Sequence, residues 1–209
     1  MKFGRFILLF FVIAAAFFTP LRRVDAQNRI DTWTTDNGLP QNSVTSLTRT
    51  PDGYIWFTIN DGLARFDGVR FKVFNKSNTP EITNNRLLGA FADKSGKLWV
   101  QTEDGGIFFY DKGIFKITMR PDEGPPKVRS SFFDDPSGGV IFYVNYKHYH
   151  YRDGKFTPLQ IEGLSENSVI VMTDREGGLW FTGAKEIRRI KDGNVKTYDL
   201  SGYSTGEVL

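Results

Sequence analysis

The sequence predicts an all-β fold, a β-propeller whose blades are sheets of four antiparallel strands. A block of short apolar runs recurs about every 40 residues, marked by Trp56, Trp99, Ile141 and Trp180. A period of that length is typical of propeller blades. Asp-Gly pairs separate the apolar runs, and they supply the positive φ that tight hairpins require. The recurrence also predicts that the four marker residues pack one blade against the next.

Blade one shows the plan of the repeat. Strand A is expected over Ser43–Thr48, strand B over Tyr54–Ile59, strand C over Leu63–Phe66 and strand D over Arg70–Phe74. Strand B is apolar on both faces, which predicts a sheet covered on both sides by neighbouring sheets. The same plan predicts blades at about 42–75, 84–117, 128–157 and 166–198, and a fifth blade that begins near residue 206.

The first blade is preceded by a segment that resembles a lone strand D. Asp31-Thr-Trp-Thr-Thr35 aligns with strand D of the other blades, so we expect a leading strand that completes the last blade of a ring. About four blades plus a leading strand make an incomplete ring, since closure needs a full set of strands. We therefore expect the chain to be the front of a longer protein or a truncated reading frame.

The first 26 residues are predicted to be a secretory signal peptide. They combine a positively charged start, an apolar run over Ile7–Phe18 and a small-residue cleavage site at Val24-Asp25-Ala26. Arg22 and Arg23 follow the apolar run and leave an uncleaved anchor open as an alternative. Residues 27–209 then form the partial propeller.

Charge and cysteine content exclude several classes of function. The signal segment holds four of the 27 Lys and Arg residues and one of the 24 Asp and Glu residues, so the rest of the chain is formally neutral. A neutral chain lacks the excess of cations that nucleic-acid binding needs. There is no Cys, so disulfides and thiolate chemistry are excluded. With two neighbouring histidines and no Cys, a catalytic triad is hard to assemble, and we expect no enzyme and no cofactor.

Blade three departs from the repeat and carries the candidate ligand-binding residues. Tyr146, Tyr149 and Tyr151 are amphipathic aromatics that suit stacking against sugars or peptides. His148 and His150 share one face of a strand, where a metal site would need a third ligand that is not visible, so no metal is predicted. The alternatives are that the tyrosines are ordinary strand residues and that the histidines form a solvent-facing polar edge.

Three segments of blade one resemble the repeats of the two-component regulator propeller family. They are Asn37-Gly-Leu-Pro-Gln-Asn-Ser-Val44, Asp52-Gly-Tyr-Ile-Trp-Phe-Thr58 and Gly62-Leu-Ala-Arg-Phe-Asp-Gly68. The resemblance covers nearly all of the chain after the signal segment and is weakest in blade three. It implies a bacterial protein with propellers in the periplasm, a membrane helix and a cytoplasmic output module, most often a histidine kinase. In several members of the family the propellers are thought to sense oligosaccharides or other extracellular cues.

The resemblance thus predicts an exported, ligand-sensing segment of a two-component regulator, periplasmic and membrane-anchored in the parent protein. Its expected partners are an extracellular ligand such as an oligosaccharide, and the remaining blades and output domains of a longer protein. A homodimer of the parent is left open. Two alternatives from other classes also stay open: a secreted propeller enzyme acting on polysaccharide, and a structural or protein-docking propeller.

Overall fold

Sixteen strands in four separate sheets make up the part of the chain that the structure describes. The structure is a computed structural model that describes residues 30–120, 131–144, 147–161, 168–183 and 185–202. Each sheet is built from four strands that are consecutive in sequence and antiparallel to their neighbours. Each sheet is therefore one blade, and its strands are named A to D in chain order. The predicted all-β class and the four-stranded blades are confirmed.

The strand bounds follow the turns closely. Blade one comprises β1 (Val44–Arg49), β2 (Ile55–Ile59), β3 (Gly62–Phe66) and β4 (Phe71–Phe74). Blade two comprises β5 (Leu87–Ala92), β6 (Leu98–Thr102), β7 (Ile107–Asp111) and β8 (Ile114–Met119). Blade three comprises β9 (Ser131–Asp134), β10 (Val140–Val144), β11 (Lys147–Arg152) and β12 (Lys155–Pro158). Blade four comprises β13 (Val169–Thr173), β14 (Leu179–Thr182), β15 (Glu186–Lys191) and β16 (Asn194–Asp199).

The C–D hairpin of blade three illustrates why the chain turns where it does. Asp153 and Gly154 both have positive φ, 49° and 80°, which matches a two-residue turn that follows the twist of the strands. Asp tolerates the left-handed region better than most residues, and Gly adopts it without a steric cost. The Asp153-Gly154 pair in the sequence therefore predicts the position of this turn.

Apolar seams between consecutive blades form the core. Each strand B directs alternate side chains toward the next blade, on what we call its forward face, and toward the preceding blade, on its backward face. The marker residues lie on forward faces: Trp56 packs against blade two, Trp99 against blade three and Ile141 against blade four. All three are buried, with exposed fractions of 0%, 2% and 0%. Trp180, on the forward face of blade four, is only half-buried.

The strands A lie innermost. One concavity of about 540 Å³ is lined by strand A residues of all four blades. The described strands do not form a closed ring, because the buried clusters join blade one to two, two to three and three to four only. Among the described residues there is no helix of the length and hydropathy needed to span a membrane.

The predicted leading strand is wrong. Residues 30–34 form no strand, and Thr35–Asn37 form a 3-10 helix instead. A strand D needs a strand C beside it, and the described part of the chain supplies none there. Side-chain oxygens take the backbone N–H groups instead: Asn37 Oδ1 accepts that of Thr34 (2.5 Å), and Asn42 Oδ1 accepts that of Thr35 (3.0 Å). The signal segment and the start of a fifth blade lie outside the described residues.

Trp33 packs against blade one. Its ring lies edge-on to Phe66 at 5.0 Å and to Phe71 at 5.5 Å, so it covers the outer part of the backward face of blade one. It remains 39% exposed. Trp33 therefore covers part of the face of blade one that a preceding blade would cover.

Candidate functional site

A side-chain hydrogen bond ties the A–B turn to strand B in three of the blades. The indole N–H of the strand B tryptophan donates to the first residue of the turn, six positions earlier. The pairs are Trp56 to Thr50 Oγ1 (3.0 Å), Trp99 to Asp93 Oδ2 (2.8 Å) and Trp180 to Asp174 Oδ2 (2.8 Å). This bond gives the indole N–H an acceptor. Without it, burial would leave the N–H without a hydrogen bond, at a cost of about 1–3 kcal/mol of stability.

Blade three keeps the turn aspartate but has no tryptophan. Ile141 has no side-chain donor, and His150, which lies directly opposite Ile141 in the sheet, places Nδ1 2.5 Å from Asp135 Oδ2. Arg152 Nη2 donates to the same oxygen at 3.2 Å. The Asp135 side chain is only 2% exposed. Burial works against its ionisation, but hydrogen bonds from Ser137 and the pairing with His150 hold its pKa below the ordinary value.

The second histidine faces blade four. His148 Nε2 accepts the backbone N–H of Ile170 at 3.3 Å, and its ring lies 4.6 Å from that of Tyr143 and edge-on to Phe181 at 6.1 Å. Burial lowers the pKa of His148 to about 4, so the neutral form is favoured. His148 does not lie at a solvent-facing polar edge, because blade four covers it, whereas the His150 side chain is 25% exposed.

The tyrosines of the same strand face blade two. Tyr151 is 9% exposed, with its ring 4.9 Å from Trp99 and 4.8 Å from Phe156, and burial raises its pKa. A ligand could stack on this ring only by displacing core side chains. Tyr149 packs half-buried against the same cluster, and Tyr146 lies outside the described residues. Ligand binding by Tyr149 and Tyr146 stays a prediction.

A groove opens beside the blade three network. It measures about 520 Å³ and is lined by Ser137, His150, Arg152, Asp153, Lys155 and Thr157. The β11–β12 register places His150 opposite Thr157 and Arg152 opposite Lys155, so these side chains share one face. Arg152 and Lys155 are the basic residues of the lining, and Asp153 is its acidic residue. Such a lining suits a ligand that is rich in acceptors and carries a carboxylate.

A second groove lies between blades two and three, at the A–B turns. It measures about 510 Å³ and includes Asp93, Asp134 and Asp135. Asp134 Oδ1 accepts the backbone N–H of Lys94 in the neighbouring blade at 2.8 Å. Burial nevertheless raises the pKa of Asp134 above its ordinary value. This groove therefore holds a carboxyl group that is protonated more readily than an exposed aspartate.

The residues that organise the blade three site were not predicted from the sequence. Neither Asp135 nor Arg152 is among the candidate ligand-binding residues. The available signal was that Ile141 removes the indole donor while Asp135 remains, so the carboxylate needs a different partner. Within the part of the chain that the structure describes, no group of three or more His, Cys, Asp or Glu side chains could hold a metal ion.

The fold defines a β-propeller, and comparison with known proteins identifies its repeat. Residues 38–61 match the model of the two component regulator propeller family, which confirms the resemblance predicted from the sequence. No curated protein matches the chain.

Two of the solved structures that share the fold show the extent of the likeness. The chain is similar to a catalytically inactive virginiamycin B lyase from Staphylococcus aureus with quinupristin, with a TM-score of 0.59, 19% identity, and coverage of 85% of this chain and 61% of the lyase chain. It is also similar to the extracellular domain of the one component system BT4673 from B. thetaiotaomicron, with a TM-score of 0.57, 20% identity, and coverage of 77% and 25% of the two chains. The chain thus spans less than two thirds of either relative. At these identities the likeness concerns the fold.

Proposed function

We propose that this chain is the extracytoplasmic ligand-sensing propeller segment of a bacterial two-component regulator, and that it is not itself an enzyme. The output module, most often a histidine kinase in the family, lies elsewhere in the parent protein. The observation that carries the proposal is the groove of blade three, in the blade that departs from the repeat. A ligand bound there would change the relative stability of two arrangements of the domains and so the output.

Blade three combines a buried charged network with an exposed rim. Asp135 is held by His150 and Arg152, so the floor of the groove is fixed by hydrogen bonds. Lys155 and Thr157 are exposed at the rim and free to reorient toward a ligand. Fixed polar groups beneath adaptable ones are a suitable arrangement for recognition of an acidic oligosaccharide.

The binding part of the proposal is tested with trigalacturonate as an acidic probe and cellotriose as its neutral counterpart. We expect trigalacturonate to raise the Tm of the chain more than cellotriose does. Lys155→Ala should weaken trigalacturonate binding about fivefold, because one exposed ion pair contributes up to about 1 kcal/mol. Lys116→Ala, an exposed lysine on β8 of blade two, is the matched control and should leave the affinity unchanged.

The signalling part is tested in the parent protein. Deletion of the region that encodes residues 27–209 should abolish ligand-induced gene expression. Unchanged induction after the deletion would refute the sensing role. Equal effects of the Lys155 and Lys116 substitutions would refute the location of the site while leaving the sensing role standing.

A secreted enzyme acting on polysaccharide is the second candidate. Asp134 is the observation that favours it, because a half-buried carboxyl group with a raised pKa beside Asp93 has the character of a general acid. The enzyme hypothesis predicts that the full-length parent cleaves a glycan and that Asp134→Asn abolishes the cleavage. Under the sensing proposal no turnover is expected from either protein.

A further inference from the structure

The groove of blade three contains a histidine whose ring is oriented by a buried carboxylate. Nδ1 of His150 lies 2.5 Å from Oδ2 of Asp135, whose side chain is 2% exposed. Hydrogen bonds hold the pKa of Asp135 below its ordinary value, so this oxygen accepts, and Nδ1 carries the proton of the neutral imidazole. Asp135 therefore leaves Nε2 of neutral His150 as a hydrogen-bond acceptor.

Nε2 of His150 is available to a ligand. It has no hydrogen-bond partner in the part of the chain that the structure describes, and it is not enclosed. The side chain is 25% exposed and lines the groove, and the residue opposite it on β12, Thr157, is exposed as well. An acceptor that is held in place in this way favours a ligand that brings a donor, such as a hydroxyl group.

Arg152 is also held in place, but part of its guanidinium group is left over. Nε donates to the carbonyl oxygen of Gly138 at 3.1 Å. Nη2 donates to Asp135 Oδ2 at 3.2 Å and to Ser137 Oγ at 2.5 Å. Nη1 has no hydrogen-bond partner among the described residues, and the side chain is 46% exposed. With Lys155 opposite it on β12, this nitrogen suits a ligand carboxylate.

The charge of the groove depends on the protonation of His150. Two basic residues, Arg152 and Lys155, balance two acidic residues, Asp153 in the lining and Asp135 beneath it. The groove is therefore formally neutral while the imidazole is neutral. Histidine is the side chain that changes charge between pH 5 and 8, so a fall in pH adds a positive charge here.

Blade four contributes charged groups that are largely paired. Its A–B turn lies beside the A–B turn of blade three. Asp174 and Glu176 of this turn both accept hydrogen bonds from Arg189, and Arg175 between them is exposed. Carboxylates and guanidinium groups keep their charge between pH 6 and 8, so none of these groups changes the charge of the groove in that range.

We infer that His150 determines the specificity of this groove, and that its ligand is a sugar acid that binds together with a proton. The inference rests on the proposed sensing function and identifies how the ligand is recognised. A ligand hydroxyl group donates to neutral Nε2 and accepts from the protonated nitrogen, so this contact survives protonation. The ligand carboxylate contacts Arg152 and is attracted by the added charge. By linkage, ligand and proton each strengthen the binding of the other.

The inference is tested by calorimetric titration of trigalacturonate into the 209-residue chain at pH 8 and pH 6. We expect the Kd to be up to about fivefold lower at pH 6, because one additional ion pair forms. Cellotriose, which has hydroxyl groups but no carboxylate, should show no such dependence on pH.

Two histidine variants assign the effect to one ring. In His150→Asn the amide N–H takes the place of Nδ1 and keeps the bond to Asp135, but nothing replaces Nε2. The Tm without ligand should therefore stay unchanged. At pH 8 the Kd for trigalacturonate should rise about three- to tenfold, and the difference between pH 8 and pH 6 should disappear. His148→Gln removes the imidazole that blade four covers, and it should keep that difference.

The outcomes separate this inference from the proposed function. If the unmodified chain does not bind trigalacturonate, the proposed ligand class is wrong and the inference falls with it. If trigalacturonate binds and Lys155→Ala weakens the binding, the proposed site stands. An equal Kd of the unmodified chain at both pH values would then overturn the inference alone, without any histidine variant. A dependence on pH that persists in His150→Asn would overturn it as well.

Discussion

Protonation of His148 should weaken the contact between blades three and four as the pH falls. The pKa of this imidazole is lowered by burial from an ordinary 6.5 to about 4. The folded chain therefore binds fewer protons than the unfolded chain between these two values, and stability is lost as the pH falls through this window. The loss at pH 5 relative to pH 7 is at most about 2 kcal/mol, from the two pKa values.

The structure indicates how this free energy is lost. Neutral His148 accepts the backbone N–H of Ile170 through Nε2, whereas the imidazolium has only donors there. Its ring neighbours Tyr143 and Phe181 are aromatic and offer no carboxylate to stabilise the charge. Protonation therefore removes a bond between blades and buries a charge at the seam.

Urea denaturation at pH 7 and pH 5 measures the effect, with His148→Gln as the comparison. The glutamine amide oxygen can accept the same N–H but does not titrate, so other titrating groups contribute similarly to both proteins. We expect the original chain to lose more stability than the variant between the two pH values, by up to about 2 kcal/mol. Equal losses in the two proteins would refute the assignment of this pKa shift to His148.

Two further substitutions test the local packing. Trp99→Phe should lower the free energy of unfolding by about 1–3 kcal/mol, because Asp93 loses its indole donor. Trp180→Phe should lower it less, because Asp174 keeps its hydrogen bond from Arg189. Urea denaturation of both variants checks this order. Gly139→Ala should lower the Tm more than Gly154→Ala does. Both glycines have positive φ, but only at Gly139 would the added methyl group overlap a backbone carbonyl oxygen, that of Tyr151. Equal decreases in Tm would contradict this expectation.

The architecture was predictable because the repeat signals act locally. Asp-Gly pairs fix the hairpins by backbone sterics, and the two-sided apolar pattern of β2 and β6 requires a sheet on either side. The leading strand failed for the opposite reason. Asp31-Thr-Trp-Thr-Thr35 has the composition of a strand, but a strand forms only where a neighbour offers ladder hydrogen bonds, and composition carries no information about that neighbour.

The candidate site was only partly predictable. The sequence singled out blade three because it breaks the repeat, and alternation along the strand placed His148 and His150 on one face, as the β11–β12 and β10–β11 registers do. Which part of a face is buried depends on the adjacent blades, so the cover that blade four gives to His148 was not predicted. The pairing of His150 with Asp135 joins residues 15 positions apart through sheet register, and no local pattern encodes it.

Blade three differs from blade two at two facing positions, not only at the tryptophan position. In blade two the buried turn aspartate is satisfied by Trp99, and Phe109 lies opposite that tryptophan; in blade three Ile141 lies opposite His150. Loss of the indole alone would leave Asp135 Oδ2 with only the longer hydrogen bond from Arg152 at 3.2 Å, at a cost of about 1 kcal/mol. A histidine across the strand restores the donor and brings a titratable ring to the edge of the groove.

A double-mutant cycle tests this coupling. Ile141→Trp alone overpacks the seam, and His150→Phe alone removes a donor from Asp135, so each should destabilise the chain. The double variant recreates the Trp99 and Phe109 arrangement of blade two, and it should be about 1–3 kcal/mol more stable than the sum of the single effects predicts. If the changes in unfolding free energy are purely additive, residues 141 and 150 are not coupled. The interpretation that the blade three site is organised around Asp135 would then be wrong.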